Sequence, residues 1–148
     1  MPADAAAWAY FDTSVLLKCY VTEQGTHDAL SLTSRHEVLS SAIAPIEVMS
    51  ALRRQVVAGG LTRRQHDRAL MRFRTDRAHW TLMEVDREVL LRAESVASKA
   101  PVRTLDAVHV ASALVFEAET DLHPSFITGD AQQRRAAEAL GLHVVFVG

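Results

Sequence analysis

Trp8-Ala9-Tyr10-Phe11-Asp12-Thr13-Ser14-Val15-Leu16-Leu17-Lys18 is the stretch that decides the fold. Its apolar start reads as a short buried strand, an acid follows at once, and an amphipathic helix begins near Ser14. The same order recurs late in the chain. There Ser125-Phe126-Ile127-Thr128 reads as a strand, Asp130 caps a helix, and Gly141 ends it. Apolar run, acid and helix, twice over, is the pattern of an α/β protein whose strands deliver acids to one edge of a parallel sheet.

The intervening residues fit that frame. Thr26–Arg35 reads as a helix and Glu37–Ser41 as a strand. Pro45, at a first helical position, opens a helix to about Ala58, and Gly59-Gly60 stops it. Thr62 with Gln65 three residues on is a capping-box signature for the next helix. Trp80–Val85 reads as a strand, Asp86 as the N-cap of a helix through Lys99, and Thr104–Glu117 as a helix with apolar residues at 3-to-4 spacing. His143–Val147, nearly all apolar, is expected to close the chain as a strand buried on both faces. No repeat or linker divides the chain, so residues 1–148 are expected to form one domain.

Two further acids fall where this frame predicts the same edge. Glu47 and Asp106 each lie in the first turn of an expected helix. Capping and the helix macrodipole account for any one of the four acids. They do not account for the set, because Ser, Thr and Asn cap as well as Asp does. Carboxylates gathered at one edge repel one another unless a cation sits among them. Oxygen-only ligands suit Mg²⁺ or Mn²⁺, the ions of phosphoryl-transfer chemistry.

Composition removes other classes. A formal charge of −2 argues against a protein that coats nucleic acid by bulk positive charge. Cys19, the single cysteine, cannot form an internal disulfide and sits in an apolar stretch that suits a core residue. Met1–Ala7 carry no basic leader region, and no apolar run approaches the ~18 residues of a membrane span, which points to a cytoplasmic protein. Phosphoacceptor domains need a second acid near the first strand's Asp, and the places where it would stand hold Thr13 and Ser14. No Lys-Ser/Thr follows Gly59-Gly60, so a phosphate loop is absent.

Phe11–Lys18, Ser40–Val48, Arg103–Ala111 and Phe126–Asp130 resemble the four acidic motifs of PIN-domain nucleases, most closely the VapC-type toxins of toxin–antitoxin pairs. The likeness runs from about Tyr10 to Val147, and the third motif is the most specific. It implies a three-layer α/β/α fold around a central parallel five-stranded sheet, and a Mg²⁺- or Mn²⁺-dependent endoribonuclease. Asp12, Glu47, Asp106 and Asp130 become the catalytic, metal-binding acids. Ser14 and Thr128 become supporting polar groups. The implied partners are an RNA substrate, a cognate antitoxin and a second copy of the chain. The alternative is a PIN-like RNA- or protein-binding module that has lost catalysis.

Between Arg53 and Arg77 stand eight arginines against Asp67 and Asp76, a local excess of six. They suit a solvated helix face, contact with RNA phosphates, or a partner surface, with Met49, Leu52, Val56, Leu70, Met71 and Phe73 nearby as apolar anchors. Arg103 lies beside the expected acids and is a candidate phosphate ligand. His109, one turn after Asp106, suits the core or a supporting role better than ligation.

Overall fold

A computed structural model describes residues 7–148; the first six, on which the absence of a leader and the start of a domain were judged, lie outside it. The described chain folds as β1 (Trp8–Phe11), α1 (Thr13–Lys18), α2 (Thr26–Arg35), β2 (Glu37–Ser41), α3 (Ala44–Val57), α4 (Arg63–Arg77), β3 (Thr81–Met83), α5 (Arg87–Lys99), α6 (Thr104–Thr120), β4 (Ser125–Thr128), α7 (Ala131–Ala139) and β5 (Val144–Phe146). The five strands form one sheet in the order β3-β2-β1-β4-β5, and every pairing is parallel. The expected three-layer α/β/α architecture is present.

Side-chain alternation along the central strands builds the two cores. Phe11 and Ile127 point into a cluster with Val15, Leu16, Val48, Leu52 and Phe73, which joins α1–α4 to one face. Tyr10, Leu39 and Phe126 point the other way, among residues of α5, α6 and α7. The Tyr10 and Phe126 rings stack across β1 and β4 with centroids 5.2 Å apart. Cys19 is a buried free thiol in the first cluster.

Local signals set the helix ends. Thr62 accepts from the Gln65 amide while the Gln65 side chain accepts from the Thr62 amide, a complete capping box. Asp86 and Asp130 cap α5 and α7 as expected. Pro45 falls one residue inside α3, because Ala44 already takes the first helical position. β3 is shorter than the expected 80–85 strand.

Two expectations fail. β5 is not buried on both faces: it is the edge strand of the sheet, Val144 and Val145 are half-buried, and Phe146 is 39% exposed. An apolar run records that a strand packs, not that a neighbour covers each side. Here the Arg134 guanidinium lies 5.2 Å from the Phe146 ring and shields part of it. Leu52 and Phe73 are wholly buried, so neither is available as a surface anchor.

Topology dictates where the chemistry collects. From β1 the chain steps outward through β2 to β3, then crosses back to lay β4 on the other side of β1. The crevice beyond the carboxyl ends of β1 and β4 is the switch point of this open sheet, where ligands of such folds bind.

Candidate functional site

Asp12 leaves the end of β1 and Asp130 the end of β4. Glu47 comes in on the first turn of α3, and Asp106 on the first turn of α6. All four line one cavity of about 170 Å³ at the switch point, together with Thr13, Ser14, Arg54, Arg103, His109 and Gln133. The four acids expected from sequence are therefore brought together, and each is held differently.

Asp12 is 1% exposed. Its Oδ1 accepts from the Ser14 hydroxyl at 2.6 Å and the Val15 amide at 3.2 Å, which makes it the cap of α1. Its Oδ2 accepts from the Thr128 hydroxyl at 2.6 Å. The two hydroxyls are themselves fixed, Ser14 Oγ accepting from the Gly129 amide and Thr128 Oγ1 from the Asp130 amide. Ser14 and Thr128 thus tie the end of β1 to the end of β4. Burial pushes the Asp12 carboxyl above its ordinary pKa, and nearby His109 with the bonds from Ser14, Thr128 and Val15 offsets this only in part.

Glu47 rests on a network that the sequence did not disclose. The Thr13 hydroxyl donates to Glu47 Oε1 at 2.7 Å, and His109 Nε2 donates to the same oxygen at 2.7 Å. His109 is 1% exposed, and its Nδ1 lies 2.8 Å from the Tyr10 hydroxyl. The Tyr10 hydroxyl thus holds the ring from the side opposite Glu47 and fixes its orientation. Partial burial raises the Glu47 pKa, but the His109 bond and field, the Thr13 bond and the charge of Arg103 together outweigh it, leaving the carboxyl below its ordinary value. His109, expected in the core or in support of the acids, is buried and bonded to Glu47. Thr13 and Tyr10 were missed, because their partners lie 34 and 99 positions away.

Asp106 and Asp130 share a cation. Arg103 Nε donates to Asp106 Oδ2 at 3.0 Å, and its other arm donates to Asp130 Oδ2 at 3.2 Å. Asp130 Oδ1 caps α7 through the Gln132 and Gln133 amides, and the Gln133 side chain reaches back to the Asp106 carbonyl. The Arg103 side chain is 75% exposed, so these ion pairs contribute about 1 kcal/mol or less and yield readily to a competitor.

A donor set of four carboxylates with hydroxyls behind them suits a hard divalent cation. As they stand, no three His, Cys, Asp or Glu side chains among the described residues are gathered closely enough to hold an ion. Arg103 spans two of the acids, and its release is the adjustment that would free Asp106 and Asp130. The donor chemistry therefore fits a divalent ion.

Residues 9–139 match the family model of the PIN domain. The chain is 36% identical over 138 residues to Ribonuclease VapC46 of Mycobacterium tuberculosis, an alignment that spans 92% of this chain and 95% of that protein. Its fold is similar to that of a chain from a toxin–antitoxin complex of Klebsiella pneumoniae, with TM-score 0.63 and 16% identity over 95% of this chain and 98% of the other. PAE2754 from Pyrobaculum aerophilum is similar at TM-score 0.62 and 17% identity, over 97% of this chain and 88% of the other. By the extent of the profile match and the identity to a curated relative, the chain belongs to the PIN-domain family, in its VapC type.

Proposed function

We propose, with membership of the PIN-domain family as the premise, that this chain is a single-domain, divalent-metal-dependent endoribonuclease acting as the toxin of a toxin–antitoxin pair. The observation that carries the reading is the convergence of Asp12, Glu47, Asp106 and Asp130 on one cavity at the switch point of the sheet. The likeness to a named ribonuclease over most of the chain supports the reaction class.

Asp12, Asp106, Glu47 and Asp130 would hold Mg²⁺ or Mn²⁺, the first two most directly. When bound, such an ion neutralises charge on the scissile phosphate and the departing oxygen and acidifies water. The protein's own groups do the rest. Asp12 Oδ1 accepts from two donors and Oδ2 from one, which leaves Oδ2 with acceptor capacity for an ion. His109 and Thr13 keep Glu47 ionised and stop it from rotating away. Arg103, once displaced from Asp106 and Asp130, is placed to meet a phosphate oxygen with its paired donors.

An antitoxin segment and a second copy of the chain are the proposed protein partners. Ile46 and Val57 on α3 and Met71 on α4 are 70–79% exposed, apolar surface that supports self-association. The proposed site of action is the cytoplasm, where RNA is met; among the described residues no helix is long and apolar enough to cross a membrane.

The test is cleavage of a mixed RNA pool with EDTA, Mg²⁺ or Mn²⁺, paired with melting curves under the same conditions. Metal-dependent cleavage with a rise in melting temperature is expected, since an ion that binds only the folded state stabilises it. A melting temperature and an RNA pool both unaffected by millimolar Mn²⁺ would contradict the proposal. A monomeric mass by light scattering at tens of micromolar would contradict the dimer.

A further inference from the structure

A cavity ringed by four carboxylates repels the polyanion it is proposed to cut, so cations elsewhere must hold the substrate. The eight arginines between Arg53 and Arg77 are all exposed. Among the described residues, none of them forms an ion pair with a carboxylate, whereas Arg103 and Arg134 do. The two acids of α4 are engaged elsewhere, Asp67 beside His66 and Asp76 accepting from the Tyr20 hydroxyl. A merely solvated helix face is ordinarily laced with opposite charge at three or four residues' spacing. This one leaves its guanidiniums without carboxylate partners; Arg54 donates to the Ser50 hydroxyl at 2.7 Å and Arg77 lies over the Phe73 ring, contacts that keep the positive charge uncompensated.

Their placement is directional. Arg54 lines the acidic cavity itself, alongside Leu17 of α1. Further along the chain from these two residues lies a second cleft, of about 260 Å³, lined by Tyr20, Val21, Gly60 and Leu61 and by Arg68 and Arg72 of α4. The Tyr20 and Val21 amides bond to the Leu17 carbonyl, and the Gly60 and Leu61 amides to the carbonyl of Gln55, the neighbour of Arg54, so each wall of the cleft continues the chain from a residue that lines the cavity. Arg64, Arg68 and Arg72 follow one another at four-residue spacing, a stripe with steps of about 6 Å. Arg72 is pre-positioned by a 2.6 Å bond to the Cys19 carbonyl and by lying over the Tyr20 ring, and four of its five donors stay free.

We propose that the cleft between the end of α1 and the start of α4 seats the RNA strand next to the scissile phosphate, held through its backbone by Arg54, Arg68 and Arg72. This rests on the nuclease reading above and adds the path of its substrate. The grip is on phosphate, so it carries no base preference of its own.

The experiment measures binding of the full chain to a fluorescein-labelled, mixed-sequence single-stranded RNA in EDTA, by anisotropy across a salt series. Arg54→Ala and Arg68→Ala are each expected to weaken binding about threefold or more and to lower the log–log salt slope by about 0.7, the loss of one contact on a single strand. Arg92→Ala, on α5 in the opposite layer, is expected to match wild type. Arg72→Ala also removes a bond to the backbone, so its melting temperature is read alongside. Unchanged affinity and slope in both Arg54→Ala and Arg68→Ala overturns the path. Polyglutamate competing better than RNA at equal charge also overturns it, by assigning the surface to an acidic protein segment. Manganese-dependent cleavage by wild type is scored separately, and its absence counts against the nuclease reading alone.

Discussion

In the cavity at the carboxyl edge of the sheet, each of the four acids is met by a specific donor: Ser14 and Thr128 for Asp12, His109 and Thr13 for Glu47, Arg103 for Asp106 and Asp130. On the α3–α4 face, eight exposed arginines have no carboxylate partner among the described residues. The chain's net charge of −2 hides this polarity, since a segment with six surplus positive charges is balanced by eight negative ones elsewhere. Charge taken out of water must be held by defined geometry or it is lost to protonation. Charge left in water needs no such support and stays free to meet a mobile polyanion. The two regions call for opposite responses to mutation, and that contrast can be broken.

The largest effect is expected at Asp12. Asp12→Asn keeps the side-chain volume and can still cap α1, but lacks the charge that holds a divalent ion. Metal-dependent cleavage should fall by more than the roughly 10–100-fold typical of losing a group behind a metal ligand. Cleavage assays with Mn²⁺ check this, and activity within a few-fold of wild type would break the account of the acidic edge.

Glu47→Gln and Asp130→Asn should weaken cleavage severely or shift it to higher metal concentration. Without metal, Asp12 and Glu47 part company. Burial disfavours the Asp12 charge, so Asp12→Asn should raise the melting temperature at neutral pH. Glu47 is held ionised by His109 and Thr13, so Glu47→Gln should lower it. Simple repulsion among the four acids would have every neutralising substitution stabilise. The His109–Tyr10 network reverses that expectation at one of them.

The pH dependence sharpens the point. The raised Asp12 pKa means that the folded state binds the extra proton, so stability falls as pH rises through the interval above 3.8. The gain from Asp12→Asn should therefore vanish at acid pH. The lowered Glu47 pKa gives the opposite sign: its contribution is present above 4.5 and is lost as pH falls through the folded value. Melting curves of the two variants from neutral to acid pH should converge on wild type from opposite sides. Curves that stay parallel would show that neither shift operates.

The smallest effect belongs to the arginine face. Arg63→Ala and Arg74→Ala remove exposed, unpaired charges and should change stability by no more than about 0.5 kcal/mol in chemical denaturation. A loss of several times that would mean that these side chains are structural after all.

Much of this was legible in the sequence, and what was not has a physical reason. Asp12 and Asp130 could be placed because acid after an apolar run marks a strand's carboxyl end, and Glu47 and Asp106 because Pro45 and the 3-to-4 spacing mark helix starts. Thr62 and Gln65 announced their cap in four residues. The Thr13–Glu47–His109–Tyr10 chain was not legible, since its hydrogen bonds join β1, α1, α3 and α6, and no local pattern records which buried polar groups will meet. Nor could the sequence say that β5 lies at the edge, because strand order depends on crossovers and not on the run Val144–Phe146. Leu52 and Phe73 looked like surface anchors because a helix pattern shows which residues share a face without showing which face is covered.

The most direct test of the central claim is RNA cleavage by Asp106→Asn across a Mn²⁺ titration, with the melting temperature of the same sample recorded at each point. Asn keeps the shape of Asp106 and leaves the Gln133 bond to its backbone carbonyl in place, so the fold is expected to persist. The expected result is a folded protein with nearly all cleavage gone and a diminished Mn²⁺-induced rise in melting temperature. Full metal-dependent cleavage by Asp106→Asn would contradict it.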